Sequence, residues 1–312
     1  MKKILAFKEN EILKSYPFYS DYLGVLVAKK HNPNNIFYNN FFTLYYEPWK
    51  NQVGFRRFNS VQKMFEINSF SINYANAMEF VISQIDNDKY VEIVLNGRFF
   101  NIININEDYF HNWLIYGYDI ENKKFLCRGY VPLNFNIHQN MEFQISFEEF
   151  KKSLPNNGQI TRFEKNIMNN HVFSLPDNYS NPSINKKRII LDLIKYIIPV
   201  PPMFFNISIY DKFIKNIDKF NYLDLRNYVT LYEHKKIISL YIENILKNDD
   251  VLKNFNEKVL SKSYIMLLMA IKYNKRKNPS ILEQIKENMI QIKVQERKIL
   301  KKIILFTIKG KM

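Results

Sequence analysis

The sequence predicts an α+β protein, with an antiparallel sheet in the N-terminal half and a bundle of helices in the C-terminal half. Between residues 90 and 146, short β-rich runs alternate with polar turns such as Asn96-Gly97 and the segment 120–124. From residue 186 onward, apolar residues recur at helical spacing. The last helix, 279–304, shows this most clearly, with Ile281, Ile285, Met289, Ile292, Ile299 and Ile303 along one side.

In the first half we expect a short strand within residues 1–16 and then a long helix opened by Pro17. This helix ends at Lys29-Lys30, before the Asn- and Pro-rich segment 31–35. A second helix is predicted over residues 73–85. Strands are predicted at 90–95, 98–103, 112–118, 124–130 and 142–146. Ser146 and Glu149 form a capping-box pattern, which predicts a helix from there to Leu154.

The second half is predicted to begin after a connector rich in Asn, Pro and Gly, with strand fragments at 159–163 and 172–175. Helices are expected at 186–198, 207–220, 224–246, 249–273 and 279–304. The stretch 264–271 is apolar all round, so we expect it to be the most buried. The predicted domains are therefore residues 1–155, a connector over 156–185, and a helical domain over 186–312.

The composition excludes several classes of function. With 7 glycines, the chain has neither a P-loop nor a dinucleotide-binding pattern. A single cysteine cannot form an internal disulfide or a cysteine-based zinc site, and the 5 histidines do not lie at metal-ligand spacing. The sequence therefore predicts no metal and no cofactor held by the chain itself.

The net charge of +15 favours an acidic partner. The lysines are spread along the whole chain, and Ile and Asn are abundant with them, which indicates an AT-rich coding sequence and argues against nucleic acid as the partner. Lys8 and Glu9 interrupt the N-terminal apolar run, and Asp192 and Lys195 interrupt the later one at 189–205. We therefore expect no membrane segment and a cytoplasmic location.

The segment from His111 to Tyr130, HNWLIYGYDIENKKFLCRGY, is the strongest candidate for a functional site. It is predicted to form a β-hairpin with His111 at the start of its first strand. Cys127 on the returning strand is either a nucleophile beside His111 or a small apolar core residue. Asp119 either orients a ring or caps the turn. An exposed hairpin without a catalytic role is the remaining interpretation.

Several short motifs resemble papain-like proteins encoded in thiotemplated natural-product gene clusters. The matching motifs are HNWLIYGYD and KKFLCRGY in the hairpin, followed by ISFEEF at 145–150, YDK at 210–212 and YEHKK at 232–236. That family resembles the N-terminal domain of the butirosin acyl-carrier acyltransferase and, more distantly, the bacteriocin-processing peptidases. The resemblance implies a papain-like N-terminal part, with the first helix packed on the antiparallel sheet and with His111 at the start of the hairpin as the catalytic base. It also implies an acidic acyl or peptidyl carrier protein as partner, whose phosphopantetheine delivers the substrate.

The chain departs from this family at the start of the first helix. Papain-like proteins place the nucleophilic cysteine there, where the helix dipole lowers its pKa, whereas this chain has no thiol in that region. Ser20 or Ser15 could serve as a hydroxyl nucleophile next to His111. The other interpretation of Ser20-Asp21 is a pair that caps the helix.

Two functions remain open from the sequence. In the first, the protein is a papain-like acyltransferase or amide-forming enzyme, with His111 as the base and Ser20, Cys127 or the acceptor amine as the nucleophile. In the second, it is a degenerate pseudoenzyme that binds a peptide or a carrier-bound intermediate, or scaffolds an assembly line.

Three further features of the sequence each have a functional and a structural interpretation. The aromatic-rich segment 36–74 could line an acyl or peptide groove or fill a core. Arg56-Arg57 could hold a phosphate or be solvated, and His234 could face a groove or be structural.

Overall fold

A computed structural model describes residues 1–47, 52–55, 59–71, 74–134, 137–155, 170–198 and 207–309. The chain divides into two compact units. The sheet unit contains residues 1–9, 21–31 and 62–179, and the helical unit contains residues 10–20, 32–61 and 180–312. The segments 10–20 and 32–61, which we assigned by sequence to the N-terminal domain, are therefore grouped with the C-terminal helices.

The sheet unit is built on a sheet of seven strands, which are β1 (Lys2–Ile4), β4 (Glu66–Phe70), β5 (Tyr90–Asn96), β6 (Phe110–Asp119), β7 (Lys124–Asn134), β8 (Ile137–Ser146) and β9 (Asn170–Ser174). Neighbouring strands are antiparallel in the order β4-β9-β5-β6-β7-β8, and β1 pairs with the far end of β6. The alternation of β-rich runs and polar turns correctly predicted an antiparallel sheet.

The predicted hairpin around His111 is confirmed as β6 and β7, joined by a turn over residues 120–123. Leu114 lies opposite Arg128 and Ile115 opposite Cys127, and the register shifts between Ile115 and Gly117. The strand predicted at 142–146 is longer than expected and pairs along β7 as β8. The capping box of Ser146 and Glu149 is also confirmed, because both of its reciprocal hydrogen bonds are present.

The return strand predicted at 98–103 is wrong. After β5, residues 97–99 form a 3₁₀ turn, and Phe100 and Ile103 bury their side chains while their backbone N–H groups close successive turns. The side-chain oxygen of Asn96 accepts hydrogen bonds from the backbone N–H groups of Arg98 and Tyr109. Asn96 therefore stabilises a loop where the Asn-Gly pair predicted a hairpin, and β5 pairs with β6 instead.

The part of the first helix that belongs to the sheet unit packs on aromatic side chains. Helix α1 spans Pro17–Ala28, and its residues from 21 onward fall in this unit. Tyr22 contacts the rings of Phe65 and Phe173. At Gly24, a Cβ atom would lie 2.4 Å from the ring of Phe7, so the close approach requires glycine. Two further helices of this unit, α4 (Ala77–Asp86) and α5 (Phe147–Ser153), contact β5.

The helical unit contains the C-terminal helices together with a small β-hairpin. Its hairpin is formed by β2 (Leu44–Glu47) and β3 (Gln52–Phe55). Its helices are α2 (Asn34–Asn40), α6 (Lys186–Ile197), α7 (Ile209–Ile217), α8 (Leu225–Tyr241), α9 (Asp249–Phe255), α10 (Ser261–Arg276) and α11 (Pro279–Ile308). A short helix, α3 (Asn59–Gln62), spans the point in the sequence where the helical unit's segment ends at 61 and the sheet unit's segment begins at 62. π-Helical turns follow α8 and α9 at Ile242–Leu246 and Asn256–Leu260. Within the described ranges, no helix has the length and hydropathy needed to cross a bilayer.

The prediction that residues 264–271 are the most buried is wrong. On α10, Ser263, Met266 and Ala270 are buried against the neighbouring helices. Tyr264, Ile265 and Leu268 lie on the opposite side, and each is 46% exposed. An all-apolar sequence does not show which face the neighbouring helices cover, and here they cover one face.

Candidate functional site

His111 lies near the start of β6 and is half-buried in an aromatic surrounding. Side chains alternate along a strand, so His111 shares a face with Trp113, whose ring centroid lies 5.7 Å away. The ring of Tyr109 lies nearly parallel to the imidazole at 5.9 Å, and Tyr130 of β7 approaches at 6.2 Å. These rings surround the imidazole, which nevertheless remains partly exposed to solvent.

One hydrogen bond of the imidazole determines its tautomer. Nδ1 of His111 lies 2.8 Å from the carbonyl oxygen of Asn112. A carbonyl oxygen can only accept, so Nδ1 carries the hydrogen. In the neutral ring, the lone pair is then on Nε2, which is the arrangement that a general base requires.

Trp113 forms a rigid support behind His111. It is fully buried, and its Nε1–H donates to the carbonyl oxygen of Leu95 at 3.1 Å. A Cβ atom at Gly129 would lie 2.5 Å from Cε3 of the indole, and one at Gly97 would lie 2.9 Å from Cζ2. The two glycines therefore leave the space that the indole occupies.

A polar network holds Asp108 and Tyr109, which lie just before the start of β6. The side-chain amide of Asn96 donates to Asp108 Oδ1 at 2.7 Å, and Arg98 forms an ion pair with the same oxygen at 2.8 Å. The hydrogen bond from Asn96 is the main reason that the pKa of Asp108 is lowered. The backbone N–H of Gly97 donates to the carbonyl oxygen of Tyr109 at 2.7 Å. The loop before β6 is thus tied to the end of β5, and this fixes where β6, with His111 as its second residue, begins.

Cys127 is not brought to His111. It lies opposite Ile115, four positions along β6 from His111, which corresponds to about 13 Å along the strand. The thiol is fully buried, and burial raises its pKa well above the ordinary value. A buried thiol with a raised pKa does not form the thiolate that a nucleophile requires. The interpretation of Cys127 as a small core residue therefore agrees with its position.

Asp119 lies at the other end of β6 from His111 and caps the turn of the hairpin. Its carboxylate accepts hydrogen bonds from the backbone N–H of Asn122 at 3.0 Å and from the side-chain amide of the same residue at 2.9 Å. These bonds are the main reason that the pKa of Asp119 is lowered. Eight positions of strand separate it from His111, so it does not orient that ring.

Ser20 and Ser15 both belong to the helical unit, whereas His111 belongs to the sheet unit. Ser20 is fully buried in the first turn of α1, and its backbone N–H donates to the carbonyl oxygen of Tyr16. Since the helix begins at Pro17, Ser20 is not at its cap. Asp21 pairs instead with Arg128 in the sheet unit, at 3.3 Å. The predicted Ser20-Asp21 capping pair is therefore wrong.

Ser15 precedes α1 and lies beside a buried carboxylate. Its backbone N–H donates to Oε1 of Glu233 at 2.9 Å, and the N–H of Lys14 donates to the same oxygen. Glu233 is on α8, and burial raises its pKa to about 7. The backbone donors before α1 are thus occupied by a side chain of the protein itself.

The sheet unit also contains a row of polar side chains that the sequence interpretation missed. Its members are successive cross-strand partners, and side chains of paired residues project from the same face of a sheet. The polar members are Ser69, His171, Glu92, Arg128 and Glu142, and the apolar Leu114 lies between Glu92 and Arg128. The signal was present in the sequence, because Glu92 and Arg128 are charged residues inside apolar runs.

Two buried carboxylates in this region have raised pKa values. Burial raises the pKa of Glu92 to about 7 and that of Asp21 well above its usual range, although Arg128 partly offsets the effect at Asp21. Arg128 is almost completely buried and also contacts Glu9 at 3.3 Å. Since Glu92 and Asp21 are shielded from solvent, we interpret them as determinants of stability, not as groups that a substrate reaches.

His234 is a structural residue of the helical unit. It is fully buried on α8, and its Nε2 lies 3.1 Å from the carbonyl oxygen of Phe42, so Nε2–H donates. Nδ1 then accepts from the ammonium of Lys235 at 2.8 Å. Burial, together with Lys235, lowers the pKa of His234 well below its usual value. A neutral, fully shielded ring cannot face a groove.

Within the described part of the chain, no group of three or more His, Cys, Asp or Glu side chains is arranged to hold a metal ion. Arg56 and Arg57, which we considered as ligands for a phosphate, lie outside the described residues. No protein-family model matches the chain, and no curated protein sequence is significantly similar to it.

Proposed function

We propose that the protein is a papain-like catalyst of amide formation that acts on an acyl group delivered as a carrier-bound thioester, with His111 as the general base. The observation that carries the proposal is the hydrogen bond from His111 Nδ1 to the carbonyl oxygen of Asn112, at 2.8 Å. This bond leaves the lone pair of the neutral ring on Nε2, and the ring is half-buried. The motif resemblance supports the choice of substrate.

The acceptor amine is the nucleophile in this proposal. Cys127 is buried and far from His111, and the structure offers no thiol near the start of α1. A thioester is reactive enough for direct attack by an amine when a base removes the proton. His111 Nε2 takes a proton from the amine as the nitrogen–carbon bond forms. The tetrahedral intermediate then expels the carrier thiolate, which is protonated by the imidazolium, so that an amide and a free carrier thiol result.

The test uses small thioesters, so that it does not depend on a carrier protein. Aminoacyl and fatty-acyl thioesters of N-acetylcysteamine are incubated with an amine pool and the protein, and amide formation is followed by mass spectrometry. His111→Ala and His111→Gln remove the base. His171→Ala is the matched control, because His171 is another half-buried histidine of the sheet unit.

We expect the wild-type protein to accelerate amide formation over buffer, and both His111 variants to lose about 10²-fold or more of that acceleration. His171→Ala should retain it. Equal rates with wild-type protein and His111→Ala, or no acceleration of any thioester, would exclude the proposal.

A second candidate function is that of a pseudoenzyme that binds a carrier-bound or peptide intermediate. The observation in its favour is the contact of Glu233 with the backbone N–H groups of Lys14 and Ser15. An acyl-transfer site directs such donors at the developing oxyanion, and here a carboxylate occupies them. This function is favoured if the protein binds a loaded carrier but leaves its thioester intact.

A further inference from the structure

Helix α10 presents a largely exposed face. Its 16 residues include no Asp or Glu. The exposed face begins with Tyr264, Ile265 and Leu268 and continues with Lys272, Lys275 and Arg276, which are all exposed. Ile265 and Leu268 adjoin on this face, next to the cations, and an exposed apolar patch bordered by polar groups is typical of an interaction site.

The geometry of the helix places these side chains in one line. Residues 264, 268, 272 and 276 follow a spacing of four, and residues 265, 268, 272 and 275 follow spacings of three and four. Such spacings keep all six side chains on one side of an α-helix. The buried residues Ser263, Met266 and Ala270 lie on the other side. From Tyr264 to Arg276 the face extends about 18 Å along the helix axis, which is a suitable length for contact with one partner helix.

The face is held in place by contacts with its own unit. The side-chain amide of Asn274 bonds both backbone groups of Leu223 at 2.8 Å. The hydroxyl of Ser263 donates to the carbonyl oxygen of Val259, and the ring of Tyr264 packs on that of Tyr232 at 5.3 Å. Because the surface is already ordered, a partner that binds it does not have to order the helix first.

The distribution of charge indicates the kind of partner. Apolar groups occupy the N-terminal part of the face and cations the C-terminal part, so a complementary surface carries an apolar patch next to acidic groups. A helix that lies in a membrane interface has its apolar groups along the whole length, with cations beside them. The arrangement on α10 therefore favours an acidic protein surface over a lipid surface, and the net charge of +15 would attract such a partner.

We propose that this face, Tyr264 to Arg276 on α10, is the docking surface for an acidic carrier protein that delivers the thioester. The inference rests on the proposed function for the identity of the partner. The apolar end contacts the apolar side of a carrier helix, and Lys272, Lys275 and Arg276 pair with its acidic side chains.

The test measures binding and not chemistry. A fluorescently labelled bacterial acyl carrier protein bearing phosphopantetheine is titrated with the full-length protein, and the dissociation constant is read from anisotropy at low and high salt. One variant reverses the charge of the face, and its control reverses as many exposed cations on α11. The two variants are Lys272→Glu/Lys275→Glu/Arg276→Glu and Lys298→Glu/Lys301→Glu/Lys302→Glu.

A second pair of variants tests the apolar end of the face. Ile265→Ser/Leu268→Ser removes apolar surface from α10, and Ile290→Ser/Val294→Ser removes exposed apolar surface from α11 as the control. All four side chains are substantially exposed, so the folding of each variant should be preserved, and circular dichroism checks it.

We expect both α10 variants to weaken carrier binding by about tenfold or more, and both α11 controls to change it by less than about threefold. The proposal is overturned if the carrier does not bind, or if the α10 and α11 variants weaken it equally. Binding of anionic phosphatidylglycerol vesicles with the same dependence on α10, and no binding of the carrier, would assign the face to a lipid surface instead.

The docking surface and the chemistry can fail separately. His111→Ala should bind the carrier as the wild type does, and the α10 variants should leave aminolysis of N-acetylcysteamine thioesters unchanged. If the carrier does not bind, or binds equally to the α10 and α11 variants, the docking proposal alone is removed. If wild type and His111→Ala catalyse aminolysis equally, the catalytic proposal is removed.

Discussion

The ammonium of Lys235 forms an ion pair with the carboxylate of Glu296 inside the helical unit, where neither side chain has exposed surface. Tyr210 donates its hydroxyl hydrogen to the other carboxylate oxygen at 3.0 Å, and Lys235 also donates to His234. The pair is therefore surrounded by hydrogen bonds that compensate part of its desolvation. It links α8 to α11 and joins residues that are 61 positions apart in the sequence.

Removal of Lys235 alone should strongly destabilise the protein. Lys235→Met leaves the carboxylate of Glu296 buried without its cation, and we expect a loss of roughly 3–5 kcal/mol in the free energy of unfolding. Lys235→Met/Glu296→Gln should recover most of that loss, because the neutral amide can still accept from Tyr210. Urea denaturation measures both. The control Lys286→Met removes the partly exposed pair with Asp218 and should cost less than about 1 kcal/mol. Similar losses for the two single variants would contradict the interpretation.

Glu92 should make the protein less stable as the pH rises. Its pKa in the folded protein is raised to about 7 from an ordinary value of 4.5, so the folded state binds the proton more tightly than the unfolded state. The stability is complete below pH 4.5 and falls as the pH rises through 7. Glu92→Gln should therefore raise the melting temperature at pH 8 and leave it nearly unchanged at pH 4.5. The shift corresponds to roughly 3 kcal/mol as an upper bound. An equal change at both pH values would show that Glu92 does not titrate in this range.

Gly129 should be required for the position of Trp113. In Gly129→Ala the new methyl carbon would lie 2.5 Å from Cε3 of the indole, so the ring must move. We expect a loss of about 1–3 kcal/mol in stability and a shift in the emission of Trp113, measured in a Trp49→Phe background where it is the remaining one of the 2 tryptophans. Since the indole supports His111, aminolysis should fall as well. An unchanged emission spectrum and melting temperature would show that the space beside Gly129 is larger than the structure indicates.

Cys127 should be unreactive in the native protein. Its thiol is fully buried and burial raises its pKa, so Ellman's reagent at pH 8 should modify it only after unfolding in urea. Cys127→Ala should leave aminolysis of thioesters unchanged. Rapid modification of the native protein, or loss of activity in Cys127→Ala with an unchanged melting temperature, would restore Cys127 as a nucleophile.

Patterns between near neighbours predicted much of the fold. The β6–β7 hairpin, the capping box of Ser146 and Glu149, and the helices at both ends of the chain follow from residues a few positions apart. The hairpin predicted from the Asn96-Gly97 pair is wrong, because the side-chain oxygen of Asn96 accepts a hydrogen bond from the backbone N–H of Tyr109, which is 13 positions away. The position of His111 at the start of β6 was predictable. The tautomer of its ring was not, because it depends on the hydrogen bond to the carbonyl oxygen of Asn112, which forms only in the folded chain.

The sequence by itself determined the α+β class, the helical character of the C-terminal half and the hairpin that presents His111, because these depend on local periodicity, turn chemistry and caps. Only the tertiary structure decided that β9 pairs between β4 and β5, that segments 10–20 and 32–61 join the helical unit, and that one apolar face of α10 stays exposed. The physical reason is that strand pairing and the burial of a helix face are contacts between distant residues. An apolar side chain can satisfy such contacts with many partners, so the sequence alone does not show which one it meets.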